Sequence, residues 1–356
     1  MAHPAHRLLW CGCFGADPAA PGLAAVPGGV VLFGRNLDPD PGVGPARCHA
    51  LVRRLQDQRG DPAPLAVAMD QEGGTVSRLR PWVGPTPSLR QAWLAGGAGA
   101  CRRWGALWGR GLALLGCNVD FAPVADLWAP GAALGDRAAG PEPLEAAQAA
   151  GAFLAGLEGA GVRGCLKHFP GLGGLALDTH LALPGRDDPM EGQRHALPFR
   201  ILAHPDRLAM VAHLRVGGSR LPASLDRDRV RLNPWGVRAR WLPDDLEMGG
   251  CAGWCWADRV RLALEAGHQA LLACQTPEGV AACARAVEGV PEGLWRPALE
   301  RFLAMRRRLP LAQEGFQAGA WEAWVQDVHR EARAQDLRRE ARSLKELAGD
   351  EGDERG

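Results

Sequence analysis

The feature that most constrains this chain is an alternation, eight times over, of short apolar runs with stretches of helical period. The runs lie at residues 7–15, 29–36, 65–71, 117–127, 163–169, 208–214, 237–244 and 270–275. Amphipathic stretches at 45–58, 88–115, 144–159 and 257–267 are long enough to carry crossover helices. Strands alternating with helices imply parallel βα units. Eight such units point to an α/β fold, a single-domain (β/α)8 TIM-type barrel, ahead of a doubly wound open sheet. The 356 residues exceed the roughly 250 that such a barrel needs. Residues 16–26 are rich in Pro, Ala and Gly and too short for a full helix, so the first βα unit is expected to be incomplete. The barrel is expected to span 1–310. A charged helical extension packed by Trp321, Trp324 and Val325 is expected at 311–347, and a disordered acidic tail at 348–356.

Composition narrows the function classes. A net charge of +1 gives no field for nucleic acid or an anionic membrane. The N-terminus lacks a basic segment followed by a long apolar one, and no run reaches the ~18 apolar residues of a membrane span. A cytoplasmic location with reduced thiols is the expectation. The ten cysteines are scattered; Cys251 and Cys255 are the nearest to a ligand pair and have no second pair. No metal and no organic cofactor are implied. Oligomeric state is not readable from the sequence. Among 41 basic residues only Lys167 and Lys345 are lysines. An ammonium kept at Lys167 therefore points to a tight polar pocket in which arginine does not substitute.

Barrel enzymes place their sites at the C-terminal ends of the strands. Several runs end there in polar groups: Asp70 with Gln71 and Glu72, the pair Lys167-His168, His213, and Asp244-Asp245. The segment 167–184 leaves a strand, turns through Gly171, Gly173 and Gly174, and presents Asp178 and His180 two residues apart. In extended chain such residues point the same way. A carboxylate can then fix the imidazole tautomer and stabilise its cation, as a tuned proton donor requires. The glycines do not form a nucleotide loop, because the full G-x-G-x-x-G and a following helix are missing.

An ordered series of motifs resembles the bacterial β-N-acetylhexosaminidase branch of glycoside hydrolase family 3. It comprises VVLFGRNL (30–37), AMDQEGGTVSRLR (68–80), NVDFAPVADL (118–127), GDRAAG (135–140) and KHFPG with DTH (167–171, 178–180). It continues through HALPFR (195–200), MVAHL (210–214), LPAS (221–224) and PDDLEMGG (243–250). The resemblance implies that the 1–310 barrel is the catalytic domain. Asp244 then matches the nucleophile of a retaining mechanism, with Asp245 as the alternative acid, and His180 the acid/base paired with Asp178. Asp70 and Arg78 match positions that hold sugar hydroxyls, Arg137 lines the pocket, and Lys167 and His168 reach the sugar. His213 matches a histidine at the pocket floor. Glu72 is read as an arginine partner, and Arg35 and Asn36 as structural.

The chain departs from the family at Leu172, which replaces a histidine, at Pro243, which replaces a serine, and at 137–140, which lacks an aromatic. The implied activity is exo-hydrolysis of terminal β-linked N-acetylglucosamine from small carbohydrate or muropeptide substrates. Two alternatives stand beside it. One is a β-N-acetylglucosaminide phosphorylase. The other is a non-catalytic sugar-binding homologue, motivated by the changes at Leu172 and Pro243.

Overall fold

Each of the eight apolar runs yields a strand buried along nearly its whole length, the pattern of parallel strands covered on both faces. The computed structural model describes residues 3–23, 25–176 and 183–350. The strands are β1 (Leu9–Gly12), β2 (Gly29–Val31), β3 (Ala66–Met69), β4 (Val119–Asp120), β5 (Arg163–Phe169), β6 (Leu208–Val211), β7 (Arg240–Pro243) and β8 (Leu271–Ala273). They pair in parallel in chain order, and β1 also pairs with β8. Two backbone bonds close the last seam: Gln269 N–H to the Trp241 carbonyl and Leu246 N–H to the Leu272 carbonyl, both 3.0 Å. The expected (β/α)8 barrel is the fold.

Helices α1 (Gly44–Asp57), α2 (Leu89–Leu115), α3 (Pro143–Gly159), α4 (Pro189–Leu202), α5 (Trp256–Ala266) and α6 (Pro277–Glu288) follow β2, β3, β4, β5, β7 and β8. Among the described residues no helix joins β1 to β2, so the first unit is incomplete as expected. The start of α2 is a capping box: Ser88 Oγ accepts from Gln91 N–H at 3.1 Å, and Gln91 Oε1 accepts from Ser88 N–H at 3.0 Å. Helices α2 and α3 cross closely because Gly105 and Gly156 face each other's backbone. A Cβ on Gly105 would overlap the Phe153 carbonyl, and one on Gly156 the Arg102 carbonyl.

The barrel interior is filled by Trp10, Val31, Ala68, Phe121, Met210 and Leu242. Helix α7 (Glu292–Arg306) plugs the N-terminal end with Phe302 and Met305. Helix α8 (Ala318–Asp350) lies along α2. Trp324 Nε1–H donates to the Leu107 carbonyl at 2.7 Å, and Trp104 Nε1–H donates to Gln335 Oε1 at 2.6 Å. α8 reaches Asp350, and residues 351–356 lie outside the described residues.

The run at 117–127 contributes only a short strand. Pro123 offers no ladder N–H, and beyond Asp120 pairing reduces to one bridge between Val124 and Lys167. Nine cysteines are buried thiols, and Cys255 is exposed. Burial pushes the Cys11 and Cys48 thiols up to about 12. Among the described residues no helix is long and apolar enough to cross a membrane.

Candidate active site

The C-terminal ends of β2, β3, β5, β7 and β8 surround a cavity of about 210 Å3. That is below the ~300 Å3 of pockets for drug-sized ligands and suits one small ring. Asp70, Glu72, Arg78, Arg137, Lys167, His168, Asp244 and Asp245 supply its polar wall. Phe33, Phe121, Leu172, Leu175 and Met248 supply the apolar wall.

At the end of β3 the chain folds into a small antiparallel ribbon, Gln71–Gly73 against Val76–Ser77. It turns Glu72 and Arg78 toward the cavity. At the end of β5 the register against β6 shifts between Leu166 and Phe169. Such an irregularity re-aims side chains, and here the neighbours Lys167 and His168 both reach the cavity wall.

Lys167 is the hub. Its Nζ donates to Asp70 Oδ1 at 2.8 Å and pairs with Glu72 Oε1 at 2.6 Å, and the residue is 2% exposed. The Arg137 guanidinium grips Glu72 with two bonds of 2.9 Å, and Arg78 approaches Asp70 at 3.4 Å. Burial opposes charge on Glu72, but Lys167 and Arg137 outweigh it and hold its carboxyl down at about 2. Burial likewise opposes charge on Asp70, and Lys167 and Arg78 hold it below the usual range. Lys167 is raised, because the two carboxylates outweigh its own desolvation. Asp70, Glu72, Lys167 and Arg137 therefore stay ionised at neutral pH, with the Arg78 guanidinium beside Asp70. They form a rigid fork of charged donors and acceptors suited to hydroxyl groups.

His168 Nδ1–H donates to Asp126 Oδ2 at 2.7 Å, and the His168 backbone N–H reaches the same oxygen at 3.0 Å. Leu172 N–H takes Asp126 Oδ1 at 2.6 Å. Desolvation of this buried carboxylate is outweighed by His168 and these bonds, and its pKa is lowered. One fully buried carboxylate thus ties the end of β5 to the loop that follows, and leaves His168 Nε2 facing the cavity.

Asp244 sits just past β7. Its N–H donates to the Val211 carbonyl at 2.9 Å, and its Oδ1 accepts from Asp245 N–H at 2.8 Å. Among the described residues it makes no ion pair. Asp245 is committed elsewhere. Its carboxylate accepts from Glu247 N–H at 3.0 Å and from the Cys274 thiol at 3.1 Å, and burial raises its pKa. Of the two acids, Asp244 is the one whose carboxylate meets no side chain among the described residues.

His213 requires a correction. It does not line the cavity and is 0% exposed. Its Nε2–H donates to the Asp245 carbonyl at 2.8 Å, and Nδ1 meets Ser224 Oγ at 2.7 Å. Nε2 thereby holds the turn that carries Asp244, while Nδ1 is taken up by Ser224 and, at 3.3 Å, the Cys251 thiol. Asp178 and His180 lie outside the described residues. Glu72 pairs with an arginine as expected, and in addition with Lys167 and the cavity itself. Asp120 and Asp126 were not singled out from the sequence. Asp120 is 0% exposed, accepts from Gln71 N–H at 2.9 Å, and is pushed well up by burial. Two carboxylates inside an apolar run were the available signal, since such groups are rarely buried unless bonded.

Known proteins resemble this chain over most of its length. The model for the glycosyl hydrolase family 3 N terminal domain matches residues 24–301. A beta-hexosaminidase of Methylococcus capsulatus is 34% identical over 325 residues, 85% of this chain and 91% of that protein. One from Tolumonas auensis is 32% identical, over 74% of this chain and 80% of its own length. The structure of a Mycobacterium smegmatis glycosyl hydrolase of that family superposes with a TM-score of 0.74 at 30% identity, covering 87% of this chain and 98% of that one. That of a family 3 beta-N-acetylglucosaminidase from a Paenibacillus species gives 0.78 at 25% identity, covering 92% and 68%.

Proposed function

The chain belongs to glycosyl hydrolase family 3, and from that premise we propose that it is a retaining exo-β-N-acetylhexosaminidase acting on terminal β-linked N-acetylglucosamine. The observation that carries the reading is Asp244, a carboxylate without a cation partner among the described residues, facing the same one-ring cavity as the Asp70–Lys167–Glu72–Arg137 network. A cation-paired acid would be a poorer nucleophile, and among the described residues Asp244 is spared that pairing.

In this reading Asp244 attacks the anomeric carbon and forms a covalent glycosyl-enzyme. His180, oriented by Asp178, protonates the departing oxygen. The same imidazole then takes a proton from water, which attacks the anomeric carbon and releases the sugar with net retention. Asp70, Arg78, Arg137, Lys167 and His168 hold the ring. His213 is a positioning residue that fixes the Asp244–Asp245 turn. The cavity's small volume favours a single terminal residue, hence exo action, on small carbohydrates such as muropeptide fragments of the cytoplasm.

The test is turnover of an aryl β-N-acetylglucosaminide beside the aryl β-glucoside, for wild type and Asp244→Asn. Release from the N-acetyl substrate alone, lost in the variant, is the expected result. No release from either substrate would replace this reading with a sugar-binding homologue.

A further inference from the structure

The opposite end of the barrel carries an unexplained concentration of positive charge. Arg163 opens β5, Asp206 and Arg207 precede β6, and Arg240 opens β7, so all four lie at the N-terminal ends of three adjacent strands. Arg163 donates to the Asp206 carbonyl at 2.6 Å. Arg240 and Arg308 take one oxygen each of the Asp206 carboxylate, at 2.6 and 3.0 Å. Arg207 pairs with Glu158 at 3.3 Å. Three guanidinium groups thus share two carboxylates, and a fourth, Arg163, sits on a backbone carbonyl beside them, in a chain whose whole net charge is +1.

That end of a barrel ordinarily serves stability. Stability alone does not account for the excess, because each uncompensated cation repels the others. Burial, with Arg240 and Arg308 nearby, holds Arg163 below the usual arginine range. The groups also surround space. Arg163, His204, Arg207 and Arg308 line a cleft of about 270 Å3 beside Asp206 and Glu158. Arg207 Nε is buried there without a hydrogen-bond partner.

We propose that this cleft is a binding site for a phosphoryl group, separate from the catalytic mouth. Guanidinium forks match phosphate oxygens in bidentate fashion. Three arginines line the cleft against two carboxylates, so an anion is favoured there, and a phosphoryl group offers more acceptor oxygens to those guanidinium forks than a carboxylate does. Two sources share this chemistry, free phosphate and a small phosphomonoester.

The experiment uses the full chain, with calorimetric titration and thermal unfolding in inorganic phosphate or glycerol phosphate against sodium chloride of equal ionic strength. Saturable binding with a rise in Tm is expected from either phosphate source and not from chloride. Tighter binding of the ester would identify a phosphomonoester as the ligand, and tighter binding of the inorganic ion would identify free phosphate. Arg308→Ala, at a side chain 59% exposed, is expected to fold, to keep wild-type hydrolysis of the aryl glycoside, and to lose about tenfold in affinity. Binding should persist with N-acetylglucosamine saturating the mouth. Absence of saturable binding, unchanged affinity in both Arg308→Ala and Arg163→Gln, or displacement by N-acetylglucosamine would each overturn the assignment.

Discussion

Replacing Lys167 by methionine tests the charged hub directly. The ammonium bridges Asp70 and Glu72 at 2.8 and 2.6 Å inside a nearly closed wall. Glu72 is held at about 2 against an ordinary 4.5. At about 1.4 kcal/mol per pH unit, its cations favour the ionised carboxyl by roughly 3 kcal/mol. Breaking a buried pair by removing one partner costs about 3–5 kcal/mol. Arg137 and Arg78 remain on the two carboxylates, so Lys167→Met should fall at the low end, about 3 kcal/mol. For a chain of this length that lowers Tm by about 4 °C. Calorimetry of Lys167→Met, Glu72→Gln and the double variant completes a cycle, with an expected coupling of about 1–3 kcal/mol.

The pH dependence has a fixed sign. A carboxyl with a depressed native pKa stabilises the fold above its unfolded value and loses that contribution as pH falls through the native one. The gap between wild type and Lys167→Met should therefore be constant between about pH 5 and pH 10, close toward pH 2 as Glu72 protonates, and narrow again above the ordinary lysine range, because Lys167 has a raised native pKa. Additivity of the two single substitutions within about 0.5 kcal/mol would refute the hub.

Two further outcomes follow from the buried acids. Asp126→Asn removes the acceptor that binds both His168 and Leu172, so kcat/KM for the aryl glycoside should drop about ten- to a hundredfold, with KM rising; an unchanged KM would detach Asp126 from the site. Asp120 has a carboxyl raised by burial, so its contribution to stability declines as pH climbs above the ordinary carboxylate range. Asp120→Asn should match or exceed the wild-type Tm at pH 7 and show no gain at pH 3; a Tm below wild type at pH 7 contradicts that.

The barrel was legible because its determinants are local. Apolar runs of strand length followed by amphipathic helices give eight βα units whatever the side chains later do, and all eight strands appear. Strand lengths were not legible at 117–127, because the run stays mostly apolar while regular pairing thins to a single bridge around Pro123, which has no donor. The site divides along the same line. Asp70, Lys167, His168 and Asp244 terminate strands, and a strand end in a barrel has only one mouth to face. His213 also follows a strand, yet it lies beneath the wall, because its ring is captured by Ser224 and the Asp245 carbonyl, groups that arrive from distant segments.

Asp120 and Asp126 carry a further lesson. Read as part of an apolar run, they pass for interruptions of a strand. Read as charges that burial would otherwise expel, they demand partners, and Asp126 finds three of them at the point where Lys167 and His168 enter the cavity. A carboxylate inside an apolar run is therefore a better pointer to the supports of this site than a carboxylate at its edge. Solvent can satisfy the edge residue, whereas only the fold can satisfy the buried one.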